Sequence, residues 1–178
     1  MFFRQIDKDI KLSLSIPQYA EELFELTDRN RDFLGHWLPW LDTVKESSNT
    51  QQFLEHQLVR FQRSQALHVT IFYRGKIAGV LGYNSIDRDN NIGHIGYWQG
   101  QEFNGKGIMT KSVRDLIEIG FKYYALERMD IRCAVENSRS RAVPKRLNFQ
   151  QEGIIRQAEK LGDRYVDHVV YGLLKNEF

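Results

Sequence analysis

Trp98-Gln99-Gly100-Gln101-Glu102-Phe103-Asn104-Gly105-Lys106-Gly107-Ile108-Met109-Thr110 joins a strand-like run to a helix through a glycine-punctuated turn. Upstream, Asn91 to Trp98 is short and carries β-branched and aromatic residues. Downstream, Val113, Leu116, Ile117, Phe121 and Tyr124 recur at the three- and four-residue steps of an amphipathic helix. Gly105 and Gly107 therefore open that helix. Glycine permits φ > 0 and lets a ligand approach the backbone, while the first helical N–H groups lack intrahelical partners at the positive end of the macrodipole. The turn is suited to a phosphate.

Spacing separates the loops that bind phosphate. A P-loop reads G-x-x-x-x-G-K-S/T; Gly100 to Gly107 reads G-x-x-x-x-G-K-G, with glycine where the Mg²⁺-binding hydroxyl belongs. A dinucleotide fingerprint reads G-x-G-x-x-G, and here Thr110 stands at the third glycine, after several strands rather than in a first βαβ unit.

Outward from the loop, Asp9 to Ile16 alternates like a first strand, and Pro17 opens a helix reaching about Asn30 with Ala20, Leu23, Phe24 and Leu26 inward. Phe33 to Trp40 is an aromatic elbow, followed by a helix at Gln51 to Arg63 through Phe53, Leu54, Leu58 and Phe61. Ala66 to Tyr73, Lys76 to Ser85 and Asn91 to Trp98 form an antiparallel meander, joined at Arg74-Gly75-Lys76 and Asp87-Arg88-Asp89-Asn90. After the Gly105 helix the pattern predicts a strand at Met129 to Val135, a short helix at Arg139 to Leu147, and strands at Glu152 to Gln157 and Tyr165 to Leu174. With no internal repeat or linker, residues 1–178 are expected to form one mixed α/β domain.

A chain of 178 residues with 42% apolar content buries one sizeable core, and a net charge of +2 gives no reason to expect nucleic acid. Met1 to Asp7 contains no secretory apolar region, and no apolar run approaches the roughly 18 residues of a membrane span. The expected place is the cytoplasm, with no membrane partner. Cys133, the single cysteine, reads as a small buried hydrophobe. His36, His56, His68, His94 and His168 fall in five different elements without metal-ligand spacing, so no metal is expected.

Glu102-Phe103-Asn104-Gly105-Lys106-Gly107 resembles the pyrophosphate loop of the GNAT superfamily of N-acetyltransferases, which carries Gln or Arg, two residues, Gly, one residue, then Gly or Ala. Glu102 departs at the first position. The next strand-to-helix connection, Glu136-Asn137-Ser138-Arg139-Ser140, matches the E-N-x-x-S pattern of these enzymes, and Asn148-Phe149-Gln150-Gln151-Glu152-Gly153 matches a (G/N)-F-x-x-E-G turn. Pro39-Trp40, Gly96-Tyr97-Trp98, the loop through Thr110, and Gly162 to Asp167 with Val170-Tyr171 resemble the RimJ/RimL branch, which acetylates N-termini of ribosomal proteins.

The resemblance implies a mostly antiparallel sheet with helices on both faces and acetyl-CoA as co-substrate. Its pyrophosphate would lie on the amides of Gly105, Lys106, Gly107, Ile108, Met109 and Thr110, and its pantetheine beside the strand ending at Tyr97 and Trp98. A backbone N–H near Tyr97 or Trp98 would stabilise the developing oxyanion. Asn137 would contact the pantetheine, and Ser140 would donate a hydrogen bond to the departing sulfur. Glu159, read in the loop before the last strand, would take the amine's proton. Trp37 and Trp40 would wall the acceptor groove or serve as core. Asn137 and Ser140 are equally suited to cap the following helix, Glu159 to a solvated loop, and Arg139, Arg141, Lys145 and Arg146 to a solvated helix face or to the adenosine phosphates.

The implied reaction is direct acetyl transfer in a ternary complex to a protein N-terminal amine, whose pKa of about 7.7 to 8 leaves it partly neutral, against about 10.4 for lysine. Alternatives are a small-amine acceptor such as a polyamine, amino acid or antibiotic; an idle acyl-CoA-sensing module that docks a protein through Trp37 to Leu41; and, more distantly, a nucleotide-binding protein. The oligomeric state is open, a homo-oligomer included.

Overall fold

The computed structural model describes residues 3–178; the leader reading at Met1 to Asp7 falls partly outside them. The strands are β1 (Phe3–Gln5), β2 (Ile10–Leu14), β3 (Leu67–Tyr73), β4 (Lys76–Asp87), β5 (Ile92–Gln99), β6 (Arg128–Ala134), β7 (Gln150–Leu161) and β8 (Arg164–Leu174). The helices are α1 (Ala20–Arg29), α2 (Arg31–Gly35), α3 (Ser47–Gln62), α4 (Ile108–Tyr123) and α5 (Ser138–Arg146). Among the described residues the sheet runs β1-β2-β3-β4-β5-β6-β8-β7. Only β5 and β6 are parallel; the other neighbours are antiparallel.

The β3–β4 hairpin closes on Arg74 and Gly75, both at positive φ, which suits the right-handed twist of the strands it joins. Successive side chains of a strand point to opposite faces. Tyr83 faces α4, where its buried hydroxyl donates to the Leu116 carbonyl at 2.7 Å. His68 faces the other way and meets Phe53 of α3 edge-on, with ring centroids 5.6 Å apart. Helices therefore cover both faces of the sheet, and the main core lies between α4 and the strands through Leu81, Tyr83, Val113, Leu116, Ile117 and Met129.

Three of the differences from the sequence reading have a clear physical reason. β1 has no alternating pattern of its own; it is a three-residue edge strand paired to β2. α3 begins at Ser47, four residues early, because the Glu46 side chain and Asn49 form a capping box. β7 runs to Leu161, so Glu159 lies on a strand and not in a loop. β7 is an edge strand exposed along most of its length, so it lacks the alternation that marks a half-buried strand; its pairing with β8 decides it. Among the described residues no helix is long and apolar enough to cross a membrane.

The functionally important irregularity is a gap in the sheet. β5 pairs with β6 only from Ile92 with Arg128 to Ile95 with Ile131, yet β5 continues to Gln99 and β6 to Ala134. Beyond Ile95 the two parallel strands part, and the β6-facing backbone of Gly96 to Gln99 has no ladder partner there. Such groups need another partner, and a ligand can provide it.

Candidate active site

Two cavities open from opposite faces of the sheet and meet at this gap. The first, about 1010 Å³, is lined by the loop at Gly105 and Gly107, by the start of α4, and by α5 residues including Ser138, Arg139 and Arg146. The second, about 1270 Å³, lies on the α3 side between Trp40, Phe53, His68, Asp130, Arg132, Glu159 and His168. Trp37, Leu38, Tyr97, Trp98, Asn137 and Ser140 line both and so form the passage between them.

The loop is open to a ligand. Gly107 is the N-cap of α4 at φ 70° and Gly105 lies at φ 74°; a Cβ built on either would meet nothing within 4 Å. Among the described residues no carbonyl accepts from the N–H groups of Gly105 to Thr110, whereas Lys111 N already bonds to Gly107 O at 3.1 Å. The side chains of Ile108 and Met109 are buried in the core, so these residues offer the cavity their amides. A row of free amides at a helix N-terminus beside two glycines fits a pyrophosphate.

Lys106 departs from the expected set, because it does not line this cavity. Its Nζ donates to the Glu102 carbonyl at 2.8 Å and lies over the rings of Tyr73 and Phe103, outside the cavity lining. Glu102, which replaces the family's Gln or Arg, accepts from Arg29 Nε at 2.9 Å and Asn30 Nδ2 at 3.1 Å, tying the loop to α1. Gln99 braces the other side, with its Nε2 donating to Phe103 O at 3.3 Å and Asn104 Oδ1 at 3.0 Å. The loop is thus held by side chains while its amides stay free.

At the passage, Ser140 and Asn137 divide the roles that the sequence left joined. Asn137 is the N-cap of α5: its Oδ1 accepts from Ser140 N at 3.1 Å. Ser140 is not the cap, since its Oγ donates to Cys133 Sγ at 3.3 Å. Tyr97 Oη donates to the Ser140 carbonyl at 2.8 Å and stands 4.0 Å from the same sulfur. Burial pushes the Tyr97 phenol well up and raises the Cys133 thiol, so both keep their protons. Cys133 is the buried small residue expected, 4% exposed, yet it sits at the centre of this cluster, which no spacing rule reveals. Asn137→Ala should cost about 1 kcal/mol of stability through the lost cap, measurable by urea unfolding.

Trp37 serves as both core and wall. It is half-buried against Ala134, Leu161 and Val166 and lines both cavities, with the Arg164 guanidinium 5.5 Å from its ring. Trp40, 40% exposed, faces Trp98 across 6.0 Å. Glu159 lines the second cavity. The β7 ladder is interrupted between Ile155 and Glu159, where Gln157 takes φ 48°, and this bulge sets Glu159 Oε1 3.7 Å from His168 Nε2. Sequence spacing had scattered the histidines, but the sheet gathers His68, His94 and His168 on this one wall. The His68 ring is held neutral, its pKa lowered to about 4 by burial and then by Arg60. Among the described residues no group of three or more His, Cys, Asp or Glu is placed to hold a metal ion.

The family model described as an acetyltransferase (GNAT) domain matches residues 12–150, the stretch that holds the glycine loop and the parting β5–β6 pair. The chain belongs to the GNAT family of acetyltransferases. It is 34% identical to YdaF of Bacillus subtilis (strain 168), a protein provisionally named a ribosomal N-acetyltransferase, over 100% of this chain and 98% of that one. Among solved structures, RimL, a ribosomal L7/L12 alpha-N-protein acetyltransferase in complex with coenzyme A, superimposes with TM-score 0.95 at 29% identity, covering 99% of this chain and 100% of that one. The microcin C7 self-immunity acetyltransferase MccE, in complex with acetyl-CoA and AMP, follows with TM-score 0.91 at 35% identity, covering 95% and 94%.

Proposed function

We propose that this enzyme transfers acetyl from acetyl-CoA directly to the N-terminal α-amine of a protein in the cytoplasm, ribosomal proteins being the acceptors its relatives suggest. The observation that carries the reading is the pair of cavities joined at the β5–β6 gap: one has the amides for a pyrophosphate, the other has room and aromatic walls for a peptide end.

Bound acetyl-CoA supplies a thioester on which negative charge develops, first at the carbonyl oxygen and then at sulfur. Unpaired backbone N–H groups of β5 beside Tyr97 and Trp98 are fixed donors for that oxygen, and one such donor contributes roughly 3 kcal/mol in other acyl-transfer sites. The Ser140 hydroxyl, which already donates to a sulfur, is placed to donate to the departing one. Asn137 holds the turn that aims it. Arg139 and Arg146 line the mouth of the first cavity as counter-charges for the phosphates. Direct transfer is supported by the state of the two candidate nucleophiles at the passage: the Cys133 thiol is buried and its pKa raised, and the Ser140 hydroxyl donates to that thiol, with no base bonded to it among the described residues. Initial-rate lines that intersect, and not parallel ones, are the expected kinetics.

Glu159, on the acceptor side, is assigned the amine's proton. Below the amine's pKa of about 8 the acceptor is mostly ammonium and needs a base; above it the amine arrives neutral. Glu159→Gln should therefore lower kcat/KM most at pH 6 and recover toward wild type by pH 9. A pH-independent loss would mean that Glu159 only orients the acceptor.

A small amine carrying a flat ring is the second reading, favoured by the facing Trp40 and Trp98 and by the similarity to MccE. A mass-spectrometric acetylation screen of peptides with free N-termini, peptides with blocked N-termini and internal lysine, and small amines separates the readings. Exclusive acetylation of lysine side chains or polyamines would remove the N-terminal assignment and leave the acetyltransferase standing.

A further inference from the structure

Two arginines line the acceptor-side cavity, and they differ in what their donors do. Arg60 Nη2 donates to the Asn84 carbonyl at 2.7 Å and Nη1 to Gln57 Oε1 at 3.3 Å. Among the described residues nothing accepts a hydrogen bond from Arg132. Among the described residues its one ion pair is with Asp130, whose Oδ2 lies 3.8 Å from Nη2, beyond hydrogen-bond reach. The Asp130 carboxylate is 7% exposed, and its other oxygen, Oδ1, is 2.7 Å from His94 Nδ1. The carboxylate partner assigns the proton to Nδ1 in that pair. Asp130 therefore positions the guanidinium by charge and leaves its donors open, and the Arg132 side chain, 49% exposed, is accessible from the cavity.

Its position is equally specific. Arg132 follows Ile131, the last residue of β6 to pair with β5, so it stands where the strands part and the acetyl group must arrive. Glu159, the carboxylate on the same wall, pairs with His168, and among the described residues it forms no ion pair with Arg132.

We propose that Arg132, held in place by Asp130, is a subsite for a carboxylate carried by the acceptor within one or two residues of the attacking amine. The planar fork of a guanidinium donates to both oxygens of a carboxylate at once, a pairing that a carboxamide in the carboxylate's place cannot reproduce. The proposal rests on the acetyltransferase reading above and adds a selectivity to it. The carboxylate has two sources: an acidic side chain near a protein N-terminus, or the α-carboxylate of an amino acid.

The test compares kcat/KM for paired acceptors. One pair is a C-terminally amidated peptide beginning Ser-Asp against one beginning Ser-Asn; the other is a free amino acid against its amide. At low salt the wild-type enzyme should prefer the carboxylate member of at least one pair about fivefold or more, mainly through KM. The preferred pair identifies the source. In Arg132→Gln the preference should fall to about one, and Arg132→Glu should favour a Ser-Lys peptide. Equal use of both members of each pair by the wild type, or a preference retained in Arg132→Gln, overturns the subsite and leaves the acetyltransferase reading intact. Acetylation of none of these amines overturns the subsite together with the N-terminal assignment and leaves the family membership standing. Should the variants not fold, the wild-type ratio and its decline with added salt decide the matter.

Discussion

Gly107→Val should raise the acetyl-CoA Kd at least tenfold, a loss of about 1.4 kcal/mol or more in binding. Two effects combine. Gly107 caps α4 at φ 70°, a region that a β-branched residue occupies only with strain, so the loop would shift and re-aim the amides of Ile108 to Thr110. The new side chain would also stand in the open space that the pyrophosphate needs, since a Cβ there meets nothing of the protein within 4 Å. Gly75→Val separates strain from occlusion. Gly75 also lies at positive φ, 81°, with nothing near its Cβ, but in the β3–β4 turn and outside both cavities. That variant should lose stability and keep its affinity. Calorimetry on both proteins checks the pair; an unchanged Kd in folded Gly107→Val would remove the loop as the phosphate site.

Ser140→Ala should lower kcat roughly tenfold to a hundredfold, the range expected for one hydrogen bond to a charged group, 1.5 to 3 kcal/mol. Because only interactions stronger in the transition state accelerate chemistry, acetyl-CoA affinity should change little. The substitution is a clean one here. The α5 cap uses the Ser140 N–H and the Tyr97 hydroxyl uses the Ser140 carbonyl, and both groups survive the change to alanine. Only the bond to Cys133 Sγ is lost. Steady-state kinetics with thermal unfolding alongside check it; a variant that loses stability but keeps kcat would make Ser140 structural.

These two variants also divide the site between its faces. Gly107 belongs to the α4 side, and its proposed role is in acetyl-CoA affinity, before chemistry. Ser140 lies in the passage, and its proposed role is on the departing sulfur. A Gly107→Val enzyme saturated with acetyl-CoA should therefore recover much of its turnover, while no concentration of either substrate should rescue Ser140→Ala.

The phosphate loop was legible because its determinants are local. Positive φ at Gly105 and Gly107 and the periodicity of Val113 to Tyr124 are properties of adjacent residues, and the proposed phosphate contacts are to backbone amides. The same holds for the β3 to β5 meander and for Asn148, which takes φ 61° where glycine is commoner in the motif. The family followed from several such local motifs in order. What the sequence alone left open depends on which strands become neighbours. That Asn137 caps and Ser140 does not is settled by Cys133, seven residues away in the chain and 3.3 Å away in space. The placement of Glu159 on a strand comes from an edge ladder that carries no alternation. The wall of the second cavity collects His68, His94, Arg132, Glu159 and His168 from β3, β5, β6, β7 and β8, and side chains from that many strands face one cavity only after the register of each pair is set. Local conformation is written in neighbouring residues, whereas a shared cavity wall is a property of strand pairing, and pairing energy is non-local.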